Sequence, residues 1–254
     1  MDFLANYFGS LNPMSFLSAL PGNIAQGIIW GLMGLGVFLT FKLLNFADLS
    51  VDGSFATGGA VTAVMLINGC PVWATIIVAI LAGLAAGLVT GLLHTLLGIP
   101  DILAGILTQI ALYSINLNIM GKSNLPISYR NYTLVVSASN INMAILVGLG
   151  ICAVVIAAMY WYFGTEQGST IRSTGSNPAM SKAQGININF TKVIALALSN
   201  GLVALSGSLF AQYQGFADIN MGRGAIVIGL AAVIIGEVLG EAIFRKHMNF
   251  IIRM

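Results

Sequence analysis

The chain has 254 residues, 57% of them hydrophobic and 7% charged, with a net charge of +2. Soluble domains carry roughly 25% charged residues, and ten basic plus eight acidic side chains cannot cover an apolar core of this size. A water-soluble enzyme is therefore excluded, as is a nucleic-acid binder, since no basic cluster with interleaved aromatics occurs. A mean hydropathy of +0.93 and 30 glycines fit helices embedded in lipid.

Residues 1–21 mix Phe, Leu and Tyr with Asn, Ser and Pro and read as an interfacial segment without the basic start of a signal peptide. The first long apolar stretch runs from Asn23 to Leu44 and ends at the polar run Asn45-Phe46-Ala47-Asp48. A second, Gly53 to Ile67, has 15 residues, about 22 Å as a helix against a hydrocarbon core of roughly 30 Å. The third, Val72 to Leu97, is long enough to tilt. Gly98-Ile99-Pro100-Asp101 breaks it, and a fourth follows to Ile119. Residues 120–142 form the longest polar stretch, an external loop with a β-leaning run Tyr132 to Val136. The fifth span is Met143 to Phe163. A polar loop from Gly164 to Phe190 leads to the sixth, Val193 to Tyr213. The seventh, Gly224 to Gly240, has 17 residues, and the basic turn Arg245-Lys246-His247 precedes what reads as the opening of an eighth, so the chain reads as truncated. Cys70 at a helix end and Cys152 inside a helix do not suggest a disulfide.

Orientation follows from the basic residues. Placing the 164–190 loop in the cytoplasm puts Lys42, Arg172, Lys182, Lys192, Arg245, Lys246 and Arg253 inside and Lys122, Arg130 and Arg223 outside, seven against three. In the third span, Gly83, Gly87 and Gly91 recur every fourth residue, as Gly27 and Gly31 do in the first. Such spacing lets helices approach closely, and packing within one bundle is the simpler reading than a dimer face.

Phe46-Ala47-Asp48 recurs as Phe216-Ala217-Asp218, 170 residues on. The same offset lays the first span on the sixth, the short second on the short seventh, and Gly59 on Gly229. Five spans intervene, so the copies (22–119 and 192–254) point opposite ways. Inverted repeats with a short helix after a polar break are a transporter signature. The fold class expected is an all-α integral membrane bundle, about seven spans plus the start of an eighth, in one permease domain over 1–254. A translocation path is expected along Asn45, Asp48, Ser50, Asp52, Gly59, Asp218, Asn220, Gly229 and Glu237. Intramembrane acids are costly and point to function, although helix capping is the simpler reading for Asp52.

Residues 176–185 spell a short helix with both ends marked. Asn177 suits the N-cap, Pro178 the first turn and Gly185 the left-handed position after the end. The run from Arg172 and Gly175 through Asn177-Pro178-Ala179-Met180, Ala183 and Gly185 to Ile186 resembles the cytoplasmic loop of ABC permeases for branched-chain amino acids and ribose. Asn45 to Val51 and Gly98-Ile99-Pro100 resemble that family's breaks, in family order, over about residues 22–254. The tryptophan/tyrosine permease branch is the nearest likeness. The resemblance implies a coupling helix at Asn177, Pro178, Ala179, Met180, Ala183 and Gly185 that docks on a separate cytoplasmic ABC ATPase carrying ATP and Mg. It further implies an extracytoplasmic substrate-binding lipoprotein, a second permease chain in a homodimer, surrounding membrane lipid, and the bacterial inner membrane. No cofactor, metal or catalytic residue is expected on this chain. Family permeases are longer at the C-terminus.

Two other readings stay open at this level. An ion-coupled secondary transporter also uses inverted repeats and buried acids. An intramembrane hydrolase would need a nucleophile beside His94 or His247, and none is recognisable. Gly121-Lys122-Ser123 mimics the end of a P-loop, but Asn116 stands where the leading glycine belongs.

Overall fold

Lipid offers a backbone no water, so apolar stretches close their own hydrogen bonds as helices. A computed structural model of the chain, describing residues 13–127 and 134–244, follows that rule. In chain order it has α1 (Pro13–Val37), prolonged by a π-helical turn (Phe38–Leu43), α2 (Val51–Ile67), α3 (Val72–Thr95), α4 (Asp101–Met120) and strand β1 (Asn124–Pro126). Then come α5 (Ile141–Phe163), α6 (Glu166–Ser176), α7 (Pro178–Ala183), α8 (Ile188–Gln214), strand β2 (Phe216–Asp218) and α9 (Ala225–Phe244). All seven expected apolar stretches are helical. Among the described residues five helices are long and apolar enough to cross a membrane, and Val51–Ile67 and Ala225–Gly240 are shorter. The expected eighth span lies outside the described residues.

Some expectations change. Helix α1 already begins at Pro13, so residues 13–21 run into the first span without a break, with Pro21 inside the helix. Helix α9 runs on to Phe244, and its apolar part, Ala225–Gly240, is short as expected. The loop after α4 holds a strand at Asn124–Pro126, which pairs antiparallel with Phe216–Asp218; of the β-leaning run, 132–133 lie outside the described residues, and Val136 buries its side chain in the core. The polar loop after α5 contains two helices instead of one. Helix α6 lacks apolar periodicity and starts from Thr165, whose hydroxyl accepts from the Gly168 N–H.

Helix α8 is the centre, packed on α1, α2 and α3. Without a hydrophobic drive between helices in lipid, small residues and hydrogen bonds decide contact. A Cβ added at Gly83 would overlap the Asn200 carbonyl, and one at Gly87 the Leu196 carbonyl. The glycine stripe of α3 therefore packs inside the bundle. Gly58 of α2 lies equally close to the Ala204 carbonyl, and Gly207 of α8 to that of Phe55. Gly27 and Gly31 have nothing within 4 Å. Hydroxyls complete the joints: Ser199 donates to the Gly36 carbonyl at 2.8 Å, Ser206 to that of Ile29 at 2.6 Å, and Thr62 to Ser208 at 2.7 Å.

These pairs fix heights along the bundle. Ser54, Gly58 and Thr62 meet Asn200, Ala204 and Ser208 in that order, so α2 runs parallel to α8 and begins near its midpoint. Gly229 and Glu237 meet Val37 and Lys42 of α1, so α9 runs parallel to α1, which is antiparallel to α8, and also begins near mid-height. The two short helices leave the middle of the bundle in opposite directions. At one end of α8 the β1–β2 ribbon closes the bundle. At the other, about 40 Å away at 1.5 Å per residue over 27 residues, sit α6 and α7.

Candidate functional site

The chain reverses after α1 because the π turn and the left-handed Asn45 (φ 55°) end the helix. The following segment climbs beside α3, where Phe46 meets the His94 ring edge-on at 5.0 Å. It stops at Asp48, 2% exposed. Here the Ser50 N–H donates to Asp48 Oδ1 at 2.9 Å and Asn200 Nδ2 donates to Oδ2 at 2.7 Å. The Ser50 hydroxyl also reaches Oδ1, and Ser54 donates to Asn200 Oδ1 at 2.6 Å. An acid at bilayer centre costs about 3 kcal/mol by insertion scales. Hydrogen bonds to a charged group, each about 1.5–3 kcal/mol, offset that. Asp48 and Ser50 thus fasten the break to α8 and do not face an open gap within this chain.

The second break repeats the turn. The Asn220 N–H donates to Asp218 Oδ1 at 2.7 Å, the same bond, two residues on, that Ser50 makes to Asp48. Between the breaks lies Asp52. It caps a helix, as the simpler reading had it, but the helix is α9 and not its own: Oδ2 accepts from the Gly224 N–H at 3.0 Å and Oδ1 from that of Ile226 at 2.9 Å. Gly222 makes this possible, since a Cβ there would overlap the Asp52 carbonyl. Two helix N-termini, each a partial positive charge, converge on one carboxylate at mid-height.

A cavity of about 290 Å³ opens at this meeting point, lined by Asp52, Gln109, Tyr113, Asn116, Asn220 and Arg223 among others. Of the expected path residues only Asp52 and Asn220 border it. Gly59 packs on Met221, and Gly229 on Val37 and Met33. Glu237 forms a 2.8 Å ion pair with Lys42, near the end of the bundle where α6 and α7 lie. Asn45 is exposed at the corner of the break. Sequence reading missed Gln109, Tyr113 and Asn116, which recur every three or four residues on α4 and so share one polar stripe of an apolar helix. That spacing was the available signal. Asn116 is 1% exposed and neither of its amide atoms has a partner.

The short loop helix has the caps that its sequence spells. Asn177 Oδ1 accepts from the Met180 N–H at 3.0 Å, Pro178 opens the helix, and Gly185 is left-handed at φ 82°. Ala179, Met180 and Ala183 are exposed. A Cβ on Gly175 would overlap the Leu43 carbonyl, so the end of α6 bears directly on the π turn before the first break. His94 accepts from Lys192 at Nε2 (3.0 Å), with Nδ1 on the Ile99 carbonyl at 2.8 Å. It ties α3 to α8 and has no nucleophile beside it among these contacts.

Comparison with known proteins identifies the family. The family model described as "Branched-chain amino acid transport system / permease component" matches residues 22–244. The chain is 45% identical to the tyrosine transport system permease protein of Clostridioides difficile (strain R20291), over 88% of this chain and 74% of that one. It is 32% identical to an uncharacterized protein, RP368, of Rickettsia prowazekii (strain Madrid E), covering 89% and 78%. It is 28% identical to the D-allose transport system permease protein AlsC of Escherichia coli (strain K12), covering 90% and 71%. No solved structure matches. With the family model spanning most of its length, this chain belongs to the branched-chain amino acid transport system permease family, and it is a multi-pass membrane permease subunit of ABC-type transport systems, not an enzyme.

Proposed function

We propose that this permease imports a small solute, an amino acid, across the bacterial inner membrane, as one of two copies, driven by a separate ATPase and fed by an extracytoplasmic binding protein. The observation that carries the reading is the meeting of α2 and α9, N-terminus to N-terminus, at mid-height of the bundle. Short helices that end inside a membrane are tolerated where their ends are buried or border a water-filled path. Their opposite directions, and the shared turns at Asp48 and Asp218, support an inverted repeat of residues 22–119 and 192–254 within a single domain and about seven crossings. The tyrosine permease of C. difficile supports an amino-acid cargo over a sugar. The path then runs past Asp52 and Asn220, braced by Asp48, Ser50, Gly59, Asp218 and Gly229, with Asn45 and Glu237 away from it.

Helix α7 supports the ATPase partner: both ends are capped, its Met180 is exposed, and its neighbour α6 abuts the π turn. A cysteine at Met180 or Ala183, in a background without Cys70 and Cys152, should crosslink to the cognate ATPase. Crosslinks to lipid alone would remove the coupling role.

The opposite ends of α8 give the topology test. A cysteine at Ser123 should react with an impermeant thiol reagent applied to intact cells, and one at Ser176 only after the membrane is opened. The reverse pattern would turn the protein over and, with it, the direction of transport.

A further inference from the structure

We propose that the cavity at the α2–α9 junction is a holding site for the charged head group of a zwitterionic amino acid. This deepens the import reading above and rests on it. The cavity carries one acid and one base, Asp52 and Arg223. A lone carboxylate ligand would be repelled by the first and a lone amine by the second, whereas a zwitterion satisfies both. Each Asp52 oxygen has taken one backbone N–H and keeps a further acceptor position for an ammonium. Among the described residues the Arg223 guanidinium has no hydrogen-bond or ion-pair partner, which leaves its planar fork free for a carboxylate.

Asn116 is the independent sign of a ligand. A side-chain amide buried to 1% with all its hydrogen-bonding capacity unused is rare in native proteins and calls for a partner. It lines the same cavity as the charged pair. Gln109 and Asn220 add two further amides, and the half-exposed ring of Tyr113 offers a face for an aromatic or aliphatic side chain. At about 290 Å³ the space sits at the lower edge of small-molecule sites, suiting one amino acid and not an oligosaccharide.

The test is equilibrium binding of radiolabelled L-tyrosine to the full chain in lipid nanodiscs, with tyramine, 3-(4-hydroxyphenyl)propionate and D-ribose as competitors. L-Tyrosine should bind at least tenfold more tightly than either singly charged analogue, and ribose should not compete. Arg223→Gln should shrink the preference over tyramine to less than threefold. Asn116→Leu should weaken binding at least tenfold and leave the thermal midpoint unchanged or raised, because leucine has the same branching, its extra bulk can enter the adjoining cavity, and it has no polar atom to satisfy. Should both variants bind tyrosine like the parent, or the analogues bind as tightly as the zwitterion, the holding site is wrong. If cells import tyrosine through this system while the isolated chain does not bind it, the import reading stands and the holding site falls. If ribose alone binds, and Asn116→Leu abolishes that, the amino-acid assignment falls with it.

Discussion

Gly58→Ala and Gly207→Ala should each destabilise the protein by about 3 kcal/mol, at the upper end of what overpacking costs. The reason is that the added methyl meets backbone. At Gly58 it overlaps the carbonyl of Ala204, and at Gly207 the carbonyl of Phe55, and neither can rotate away. Helices α2 and α8 would have to part, pulling Thr62 from Ser208 and Ser54 from Asn200. The double variant should lose less than the sum, since the first methyl opens the gap that the second needs. Gly27→Ala and Gly31→Ala, at positions with nothing within 4 Å, should be neutral or mildly stabilising through helix propensity. Thermal unfolding in detergent, with uptake measured alongside, reads all four. Equal midpoints for Gly58→Ala and Gly27→Ala would mean that the two helices are not in backbone contact.

Asn200→Leu should be comparably damaging for an electrostatic reason. It removes the donor to Asp48 Oδ2 and the acceptor for Ser54, leaving a buried carboxylate short of partners. Leaving a buried polar group without its partner costs about 1–3 kcal/mol, at the upper end for a charged one, which for a chain of this length lowers the unfolding midpoint by roughly 5–10 °C. Asp48→Asn in the same background should recover part of the loss, since no charge is then stranded. If the double variant is as unstable as the sum of the two single ones, the coupling between the break and α8 does not exist.

Much of the fold was legible because lipid forces it. Long apolar runs between Gly-Pro breaks can be little else than helices, and the two short runs gave α2 and α9. The glycine stripe of α3 and the caps at Asn177 and Gly185 are local chemistry, readable at fixed spacing. The partners of polar residues were not readable. Asp52 looked like the cap of the helix it begins, yet it caps a helix more than 170 residues away, which only the folded chain brings near. Glu237 looked like a path residue, and its pairing with Lys42 depends on the height at which α9 starts. Asn116 was noticed only as the wrong residue for a P-loop. Helix α6 has no apolar period at all and was invisible for that reason.

The burial of α8 bears on how the protein is made. Ser199, Asn200, Ser206, Ser208 and Gln212 would make this helix a poor candidate to enter a bilayer alone, because each polar group needs a partner there. In the folded chain those partners are Gly36, Asp48, Ile29, Thr62 and Val135. Every one of them precedes α8 in the sequence and leaves the ribosome first. The earlier helices can therefore be in place as a cradle before α8 arrives, and its polar atoms pass from the insertion machinery to waiting neighbours without a stay in lipid. Moving this segment ahead of α1 by circular permutation would keep every contact of the finished structure and remove that order of arrival.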